Sequence, residues 1–307
     1  MRNLLKTMKK PAMILAAGLG TRLRPYTNIQ PKPLFPVLGQ PLLLITLQKL
    51  RKSGFSPIIV NTHHLGAQIV ELLKNENDVI LQQEETILGT GGGLRMAMEN
   101  FGNQPVLVTN GDIYHDIDFQ WVFEEHQRSG CPVSMVMHDL PRFNKVSVAE
   151  NHVVGFGQNE AQIPADADFL AFTGVHVIEP QILAPLPENA SSNIIDRYKE
   201  LLVGGQKIKA MKVEDHYWKD MGTPDDYLDL HAELLSSGLM PPGTKGQRRG
   251  RFWADKDAVV GNYVRMEDWT VIGAGAQIGD GAVLKRVVVW DGAVVEAGAE
   301  VSDVIIC

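Results

Sequence analysis

The sequence predicts an α/β protein with a largely parallel sheet, followed by a small C-terminal domain of parallel β-coils. Short apolar runs alternate with helix-like segments along the first three quarters of the chain. Residues 238–252, GLMPPGTKGQRRGRF, interrupt every periodicity with proline, glycine and basic residues. Beyond them the sequence is rich in valine, isoleucine, glycine and alanine, with a six-residue rhythm.

The apolar runs give the expected elements of the α/β part. Strands are predicted over 12–17, 57–62, 78–83, 105–110, 132–138, 171–178 and 208–214, with a hairpin over 146–156. Helices are predicted over 41–53, 66–75, 91–100, 118–129, 193–203 and 224–237. Thr90, Asn193 and the pair Thr223-Pro224 are helix-start signals. In such sheets ligands gather at the carboxyl ends of the strands.

The C-terminal rhythm predicts a triangular parallel β-helix, in which every sixth residue points inward. The inward positions are Val260, Met266, Ile272, Ile278, Leu284 and Trp290, and after a phase slip Val289, Val295 and Val301. Four Gly-Ala pairs, beginning at Gly275, Gly281, Gly292 and Gly298, are the expected corners. The predicted domains are therefore 1–238 and 254–307, with a linker over 239–253.

Composition narrows the possible functions. A formal charge of −7 and a pI near 5.7 argue against a general affinity for nucleic acid. Cys131 and Cys307 are the only cysteines in 307 residues, too few for a disulfide framework. No apolar run approaches the length of a membrane span, and the basic N-terminal MRNLLKTMKK lacks a signal-peptide core. We therefore expect a cytoplasmic protein without a membrane partner. Its first ten residues are expected to be a flexible extension.

Residues 13–37, MILAAGLGTRLRPYTNIQPKPLFPV, predict a site for a polyphosphate. A buried strand ends in Ala16-Ala17, and the turn Gly18-Leu19-Gly20 can expose N–H groups that cradle phosphate oxygens. Arg22 and Lys32 then supply a fork-shaped donor and a point charge that could reach one polyphosphate.

Two common nucleotide motifs do not fit this turn. The dinucleotide fingerprint needs a small residue where Leu23 stands, and Pro25 would obstruct its long helix. A Walker A motif is excluded because no Gly-Lys-Ser or Gly-Lys-Thr follows. Taken alone, the two glycines are also compatible with an ordinary strand-to-helix turn.

The stretch resembles the signature of the sugar nucleotidyltransferases, G-x-G-T-R-L-x-P-x-T followed by K-P. Here it reads Gly18 to Thr27, GLGTRLRPYT, and then Lys32-Pro33. The resemblance implies a Rossmann-like, mostly parallel sheet of the nucleotide-diphospho-sugar transferase type. It also implies a left-handed β-helix tail, which many members carry. The residues expected at the nucleoside triphosphate in this stretch are Ala16, Ala17, Gly18, Gly20 and Thr21.

The expected metal ligands come from two further motifs. An apolar strand over 106–110 ends in Gly111-Asp112, where the glycine allows close backbone approach to a ligand and the aspartate matches the family's Mg²⁺ ligand. Asp112 could instead be a turn residue or helix cap. The segment WKDMGTP, 218–224, resembles the family's W-x-D-x-G-T-P element, which implies that Asp220 joins Asp112 at Mg²⁺.

A glycine-rich segment is the expected base site. Residues 82–93, QQEETILGTGGG, resemble the family's E-x-x-x-L-G-T-x-G loop. The expected nucleotide contacts there are Gln82 or Gln83, which can read a base edge, and Gly89, Thr90 and Gly91. A simple helix entry is the alternative, although three consecutive glycines would weaken it by roughly 1 kcal/mol each.

The resemblance implies nucleotidyl transfer from a nucleoside triphosphate to a sugar 1-phosphate, with release of pyrophosphate. Arg22 would neutralise the departing phosphates and Lys32 would hold the sugar phosphate or α-phosphate. The sugar contacts are Gly155, Thr173 and Gly174, since 172–175 resembles the family's sugar strand. Phe172 replaces its usual asparagine, and the family's Glu-Lys-Pro lysine has no counterpart over 151–160. The base stays open, and so does the sugar among mannose, glucose and N-acetylmuramate types.

Two other classes of protein remain as alternatives. Longer β-helices host acyltransferases, but this tail is short and contains no histidine to act as a base. A catalytically silent nucleotide-sugar-binding regulator is the second alternative, which the retained Arg22, Lys32, Asp112 and Asp220 disfavour. The tail also predicts a homo-oligomer contact.

Overall fold

The computed structural model describes residues 10–157 and 163–307. The predicted N-terminal extension, apart from Lys10, and residues 158–160 of the sugar region lie outside the described residues. The chain forms two compact units. The first contains Met1–Gly18, Lys49–Gly111 and His115–Trp218, and the second contains Leu19–Gln48, Asp112–Tyr114 and Lys219–Cys307.

A nine-stranded sheet forms the centre of the first unit. In spatial order its strands are Val79–Gln83, Ile58–Thr62, Ala12–Leu15, Val106–Asn110, Asp168–Ile178, Val133–His138, Ile208–Lys212, His152–Gly155 and Val146–Ala149. The first four pair in parallel. The long strand Asp168–Ile178 is antiparallel to its neighbours. The predicted α/β fold is confirmed, with a sheet that is mixed because this strand and strand His152–Gly155 run antiparallel to their neighbours.

The helices of the first unit also follow the sequence prediction. They are Gly66–Leu73, Gly89–Phe101, Phe119–Ser129 and Ile194–Val203, and helix Leu42–Lys52 has residues in both units. Asn193 caps its helix, accepting a bond from the N–H of Ile195 at 3.0 Å. Fully buried side chains such as Met13, Val108 and Tyr198 form the core that fixes the strand ends.

The second unit contains short elements that sequence periodicity does not reveal. Three-residue 3₁₀ helices are Thr21–Leu23, Tyr26–Asn28 and Lys32–Leu34, and a hairpin pairs Pro36–Val37 with Gln40–Pro41. Strands Ile113–His115 and Trp218–Asp220 pair with each other. Helix Pro224–Ser237 follows, with Thr223 at its N-cap as the sequence predicts.

Mostly parallel strands make up the C-terminal part of the second unit, in which Gln247–Arg249 pairs antiparallel with Phe252–Ala254. One sheet contains Gln247–Arg249, Phe252–Ala254, Arg265–Ile272, Val283–Val289 and Glu300–Ile306, and another contains Val259–Val260, Gln277–Ile278 and Val294–Val295. We call these strands the C-terminal stack. Its pairing is compatible with the predicted β-helix, whose hand and domain bounds stay predictions.

The packing of the stack agrees with the six-residue rhythm except at two predicted inward positions, Val260 and Trp290, of which Trp290 packs against Phe35 instead. Ile278 and Leu284 are buried, and the predicted corner glycines have positive φ values from 64° to 71°. The phase slip corresponds to a register shift between Glu267 and Thr270. Val260 is 42% exposed and lies in an edge strand of its sheet. Among the described residues, no helix has the length and apolar character that a membrane span requires.

Candidate active site

Four charged side chains meet in the second unit. Lys32 Nζ donates to carboxylate oxygens of Asp112 at 2.9 Å and of Asp220 at 3.0 Å. The guanidinium of Arg22 lies 3.5 Å from the other oxygen of Asp220. The Lys32 side chain is 5% exposed, whereas that of Arg22 is 62% exposed. All four side chains that the sequence predicts for catalysis and metal binding are therefore brought together.

The glycine turn is held by local contacts that require glycine. Gly20 has a left-handed φ of +59°, and an added Cβ would lie 2.8 Å from Cγ2 of Thr27. The buried Thr27 hydroxyl donates to the carbonyl of Gly20 at 3.1 Å. This contact fixes the entry to the helix that carries Arg22.

A run of backbone N–H groups is available at the same turn. Within the part of the chain that the structure describes, the N–H groups of Leu19, Gly20, Thr21 and Arg22 have no hydrogen-bond partner. The first internal bond runs from Leu23 N to the carbonyl of Gly20, at 2.9 Å. Consecutive free N–H groups bind phosphate oxygens well, because each N–H can donate a hydrogen bond to the anion. The turn can therefore bind a phosphate close to Arg22.

Asp220 is placed by the elements on either side of it. It ends strand Trp218–Asp220, whose pairing with the strand after Asp112 explains how the two distant carboxylates approach. Gly222 follows, where a Cβ would lie 2.7 Å from Nη1 of Arg22 and 2.8 Å from Oδ2 of Asp220. The Thr223 hydroxyl then accepts from the N–H of Asp226 at 3.1 Å and starts the next helix.

In the first unit, polar contacts anchor the strand that leads to the glycine turn. The N–H of the buried Ala16 donates to Asn61 Oδ1 at 2.7 Å. Gly111 donates to the carbonyl of Leu15 at 2.8 Å, and a Cβ there would lie 2.9 Å from that oxygen. Ala17 is buried, and Gly18 is exposed with open space around its Cα. Gly111 therefore allows two strand ends to approach.

The predicted base segment is the first turn of a helix that begins at Gly89, two residues before the predicted start. A Cβ at Gly91 would lie 2.7 Å from Ser192 Oγ. The exposed Thr90 accepts from the N–H of Ile194 at 3.1 Å. Packing inside the protein thus accounts for the glycine at 91, and the contacts of Gly89, Thr90 and Gly91 with a nucleotide stay predictions.

The two candidate glutamines differ in their surroundings. Gln82 is buried, and its amide donates to the carbonyl of Gly93 at 2.9 Å, so this side chain already ties the strand to the helix. Gln83 ends the same strand and is exposed. Of the pair, Gln83 is the one whose amide is accessible to a ligand.

The predicted sugar strand contains a bulge. Pairing with strand Val133–His138 shifts register between Phe172 and His176, and Gly174 within it has a φ of +84°. The buried Thr173 hydroxyl donates to the carbonyl of Val136 at 2.9 Å, and its own carbonyl accepts from the Trp218 indole. Thr173 is thus bonded within the protein.

An aromatic and imidazole group surrounds Trp218 in the first unit. His138 lies 4.8 Å from Trp218 between ring centroids, and His138 Nδ1 is 3.1 Å from His216 Nε2. Burial, and secondarily the nearby His216, lower the pKa of His138 to about 4. His138 is therefore neutral near pH 7. Gly155, the remaining predicted sugar contact, is buried at the end of its strand.

Sequence reasoning missed two buried residues that bond to each other beside the strand ends of the first unit. Glu84 accepts from Asn61 Nδ2 at 2.8 Å and from the N–H of Leu88 at 3.1 Å. Asn61 lies next to the last residue of a predicted strand and Glu84 directly follows another, and a polar residue at such a place is the signal that could have revealed them. Two cavities of about 390 and 640 Å³ in the first unit contain none of the predicted site residues.

Comparison with known proteins gives consistent results. The family model described as nucleotidyl transferase matches residues 11–237. Mannose-1-phosphate guanylyltransferase of Mycobacterium tuberculosis is 31% identical, over 95% of this chain and 83% of that protein. N-acetylmuramate alpha-1-phosphate uridylyltransferase of Neisseria meningitidis is 42% identical, over 69% of this chain and 93% of that protein.

A solved structure supports the same fold. A Bacillus anthracis protein proposed to be a glucose-1-phosphate thymidylyltransferase matches with a TM-score of 0.64, over 73% of this chain and 94% of that chain. Its sequence identity is 20%, so this likeness concerns the fold alone.

The mixed α/β fold and the matched family model define the class: this chain belongs to the nucleotidyl transferase family. Its relatives act on sugar 1-phosphates of the mannose, glucose and muramate types. The chain is accordingly a sugar-1-phosphate nucleotidyltransferase, and the predicted enzyme class is confirmed.

Proposed function

We propose that this enzyme catalyses Mg²⁺-dependent transfer of a nucleotidyl group from a nucleoside triphosphate to a sugar 1-phosphate, releasing pyrophosphate. The observation that carries the proposal is the group of Lys32, Asp112, Asp220 and Arg22. Two cations and two carboxylates joined by three ion pairs of 2.9 to 3.5 Å suit a reaction in which negative charge must be held and aligned.

Each side chain of the group has a proposed role. The exposed Arg22 binds the departing phosphates together with the free N–H groups that follow Gly18, because a guanidinium can form two parallel bonds to phosphate oxygens. Lys32 binds the sugar phosphate or the α-phosphate. Both would stabilise charge that grows in the transition state, which is where electrostatic catalysis has its effect.

The carboxylates fit a magnesium ion by their chemistry. Asp112 and Asp220 each direct one oxygen to the same ammonium, so both can face one cation. Mg²⁺ prefers oxygen ligands and is held by one or two carboxylates together with substrate phosphates and water. Among residues 10–157 and 163–307, no three His, Cys, Asp or Glu side chains are grouped for a metal. When bound, the ion would neutralise and polarise phosphate oxygens.

The remaining predicted contacts complete the proposal. Ala16, Ala17, Gly18, Gly20, Thr21 and Gly111 belong to the nucleotide site, with Gln82, Gln83, Gly89, Thr90 and Gly91 at the base and Gly155, Thr173 and Gly174 at the sugar. The exposure of Gln83 supports its role in reading the base edge. The sugar is of the mannose, glucose or N-acetylmuramate type, as in the named relatives.

A cross-panel of substrates tests the proposal. Five nucleoside triphosphates would be combined with about a dozen sugar 1-phosphates, and pyrophosphate release measured with and without Mg²⁺. Magnesium-dependent release with one pair supports the proposal and identifies the substrates. Tight nucleotide-sugar binding without release across the panel would support the alternative, a catalytically silent regulatory protein.

We also propose a homo-oligomer, a cytoplasmic location and domain boundaries at 238 and 254. The exposed Val259, Val294 and Tyr263 of the C-terminal stack support an oligomer contact, since exposed apolar side chains favour association. Sedimentation of the purified protein tests the oligomer. Fractionation of cells tests the location, and limited proteolysis tests the domain boundaries.

A further inference from the structure

One indole ring of the C-terminal stack contacts the segment that contains Tyr26, Lys32 and Phe35. Trp290, which directly follows strand Val283–Val289, is 4% exposed. Its ring centroid lies 4.8 Å from that of Phe35, at an interplanar angle of 68°, and 6.1 Å from that of Tyr26. Both partners lie close in sequence to Lys32, so the stack touches the segment that carries this lysine.

Phe35 connects the indole to Lys32 through the backbone. The N–H of Phe35 donates to the carbonyl of Lys32 at 3.0 Å and closes the 3₁₀ turn Lys32–Leu34. Phe35 is completely buried, so its ring cannot move without opening the contact with Trp290. The buried Phe35 therefore holds the backbone of Lys32 in place, one 3₁₀ turn earlier in the chain.

Trp290 also contacts the helix that follows Asp220. Its Nε1 donates to the hydroxyl of Tyr227 at 3.1 Å, and that hydroxyl donates to the carbonyl of Pro36. Tyr227 is fully buried in helix Pro224–Ser237, which begins four residues after Asp220. One side chain of the stack therefore contacts both the segment of Lys32 and the helix beyond Asp220.

The last strand of the stack adds a second contact with the same segment, at Tyr26. Burial raises the pKa of the Tyr26 hydroxyl, to which Cys307 adds a smaller effect, while a hydrogen bond with the backbone of Ile305 opposes it. The backbone N–H of Trp290 donates to the carbonyl of Ile306 at 2.7 Å. Strand Glu300–Ile306 therefore supports Trp290 and contacts Tyr26 directly.

We propose that Trp290 is a positioning residue: it aligns the segment of Lys32 with the helix after Asp220, so that nucleotidyl transfer depends on the C-terminal stack. This inference rests on the proposed function. The ring acts through Phe35 and Tyr227 and contacts no reacting atom. Misplacement of a catalytic group by about 1 Å costs on the order of 10²-fold in rate, so the effect on turnover is large even where the fold survives.

The test compares Trp290→Ala with Ile278→Ala in the full chain. Ile278 is equally buried in the core of the stack, and its side chain packs there, which makes it a control for loss of stability alone. We expect kcat of Trp290→Ala to fall about 10–100-fold at a temperature where both variants are folded, with Ile278→Ala within about twofold of the parent. Trp290→Phe, which keeps a ring against Phe35, should restore most of kcat.

Hydrogen exchange supplies a readout that does not depend on catalysis. Amides over 26–37 should exchange about tenfold faster in Trp290→Ala and at the parental rate in Ile278→Ala. If Trp290→Ala does not fold, Tyr227→Phe serves instead, since it removes only the bridging hydroxyl and should lower kcat in the same direction.

The outcomes separate the two proposals. Parental kcat in Trp290→Ala, or equal losses in both alanine variants, would overturn the positioning role. A parent protein that releases no pyrophosphate with any substrate pair would remove the proposed function instead. In that case the exchange rates over 26–37 alone decide whether Trp290 positions the segment.

Discussion

The ammonium of Lys32 lies 3.0 Å from a carboxylate oxygen of Asp220, a residue 188 positions later in the chain. The lysine is nearly inaccessible, so its charge is balanced by protein carboxylates and not by water. Asp112 shares the same ammonium at 2.9 Å. Lys32 therefore holds together the two carboxylates that we propose as metal ligands.

Replacement of Lys32 by methionine should separate its effects on catalysis and on metal binding. Loss of the charge that contacts phosphate should lower kcat on the order of 10²–10³-fold. Mg²⁺ should bind more tightly, because the two carboxylates would lose the ammonium that now neutralises them. Pyrophosphate release and a magnesium titration by thermal shift measure the two effects. Lys74→Met, at an exposed lysine paired with Glu71, is the control. Weaker magnesium binding in Lys32→Met would contradict the proposed site.

Gly222→Ala should reduce turnover without unfolding the protein. The new Cβ would meet Nη1 of Arg22 at 2.7 Å and Oδ2 of Asp220 at 2.8 Å, so one of the two must move. The guanidinium is exposed and can swing away, which limits the cost in stability but removes its contact with the carboxylate. We expect kcat to fall about tenfold or more. Gly204→Ala, where the nearest atom would be 3.4 Å away, is the control in the same assay. Equal rates for the two variants would show that the Arg22 geometry is unimportant.

Much of the first unit follows from the sequence because its elements are long enough to show periodicity. Strands such as Val106–Asn110 are continuous apolar runs, and helix Ile194–Val203 has an asparagine cap at Asn193. The short elements of the second unit were not predictable. A three-residue 3₁₀ helix such as Lys32–Leu34 has no period, and its position depends on tertiary contacts of Phe35.

The sequence identified which residues form the charged group but not how they are arranged. Motifs identified Arg22, Lys32, Asp112 and Asp220, whereas the ion pair of Lys32 with both carboxylates arises only when two short strands pair. The role of Glu84 could not be predicted from the sequence for another reason. A buried carboxylate between two strands and a helix is defined by its partners, and the sequence does not show them.

Glu84→Gln should destabilise the first unit. Glutamine can still accept from Asn61, but its amide nitrogen cannot accept the bond that the N–H of Leu88 now donates at 3.1 Å. A buried N–H without a partner costs about 1–3 kcal/mol in the free energy of unfolding. Urea denaturation measures this loss. The matched control is Glu85→Gln at the exposed neighbouring position, which should leave stability within about 0.5 kcal/mol. Equal midpoints for the two variants would show that the Glu84 contact is not stabilising.

His176→Leu should make the protein more resistant to acid. His176 is 1% exposed between the rings of Phe172 and Tyr198, and neither ring nitrogen has a partner among the described residues. Burial lowers the pKa of this imidazole to about 3, well below the value of about 6.5 in the unfolded chain. The unfolded state therefore binds more protons between these values, and the stability present above pH 6.5 is lost as the pH falls towards 3.

Leucine removes this titration and is similar to histidine in size. Between pH 7 and pH 5 the parent should lose about 2 kcal/mol more in the free energy of unfolding than the variant, as urea midpoints at the two pH values would measure. Tyr198→Phe is the control, because it removes a neighbouring buried hydroxyl whose pKa is raised well above 10 by burial. That change should shift stability equally at both pH values. If His176→Leu and the parent lose the same stability on acidification, His176 is not the group that makes the fold acid-sensitive.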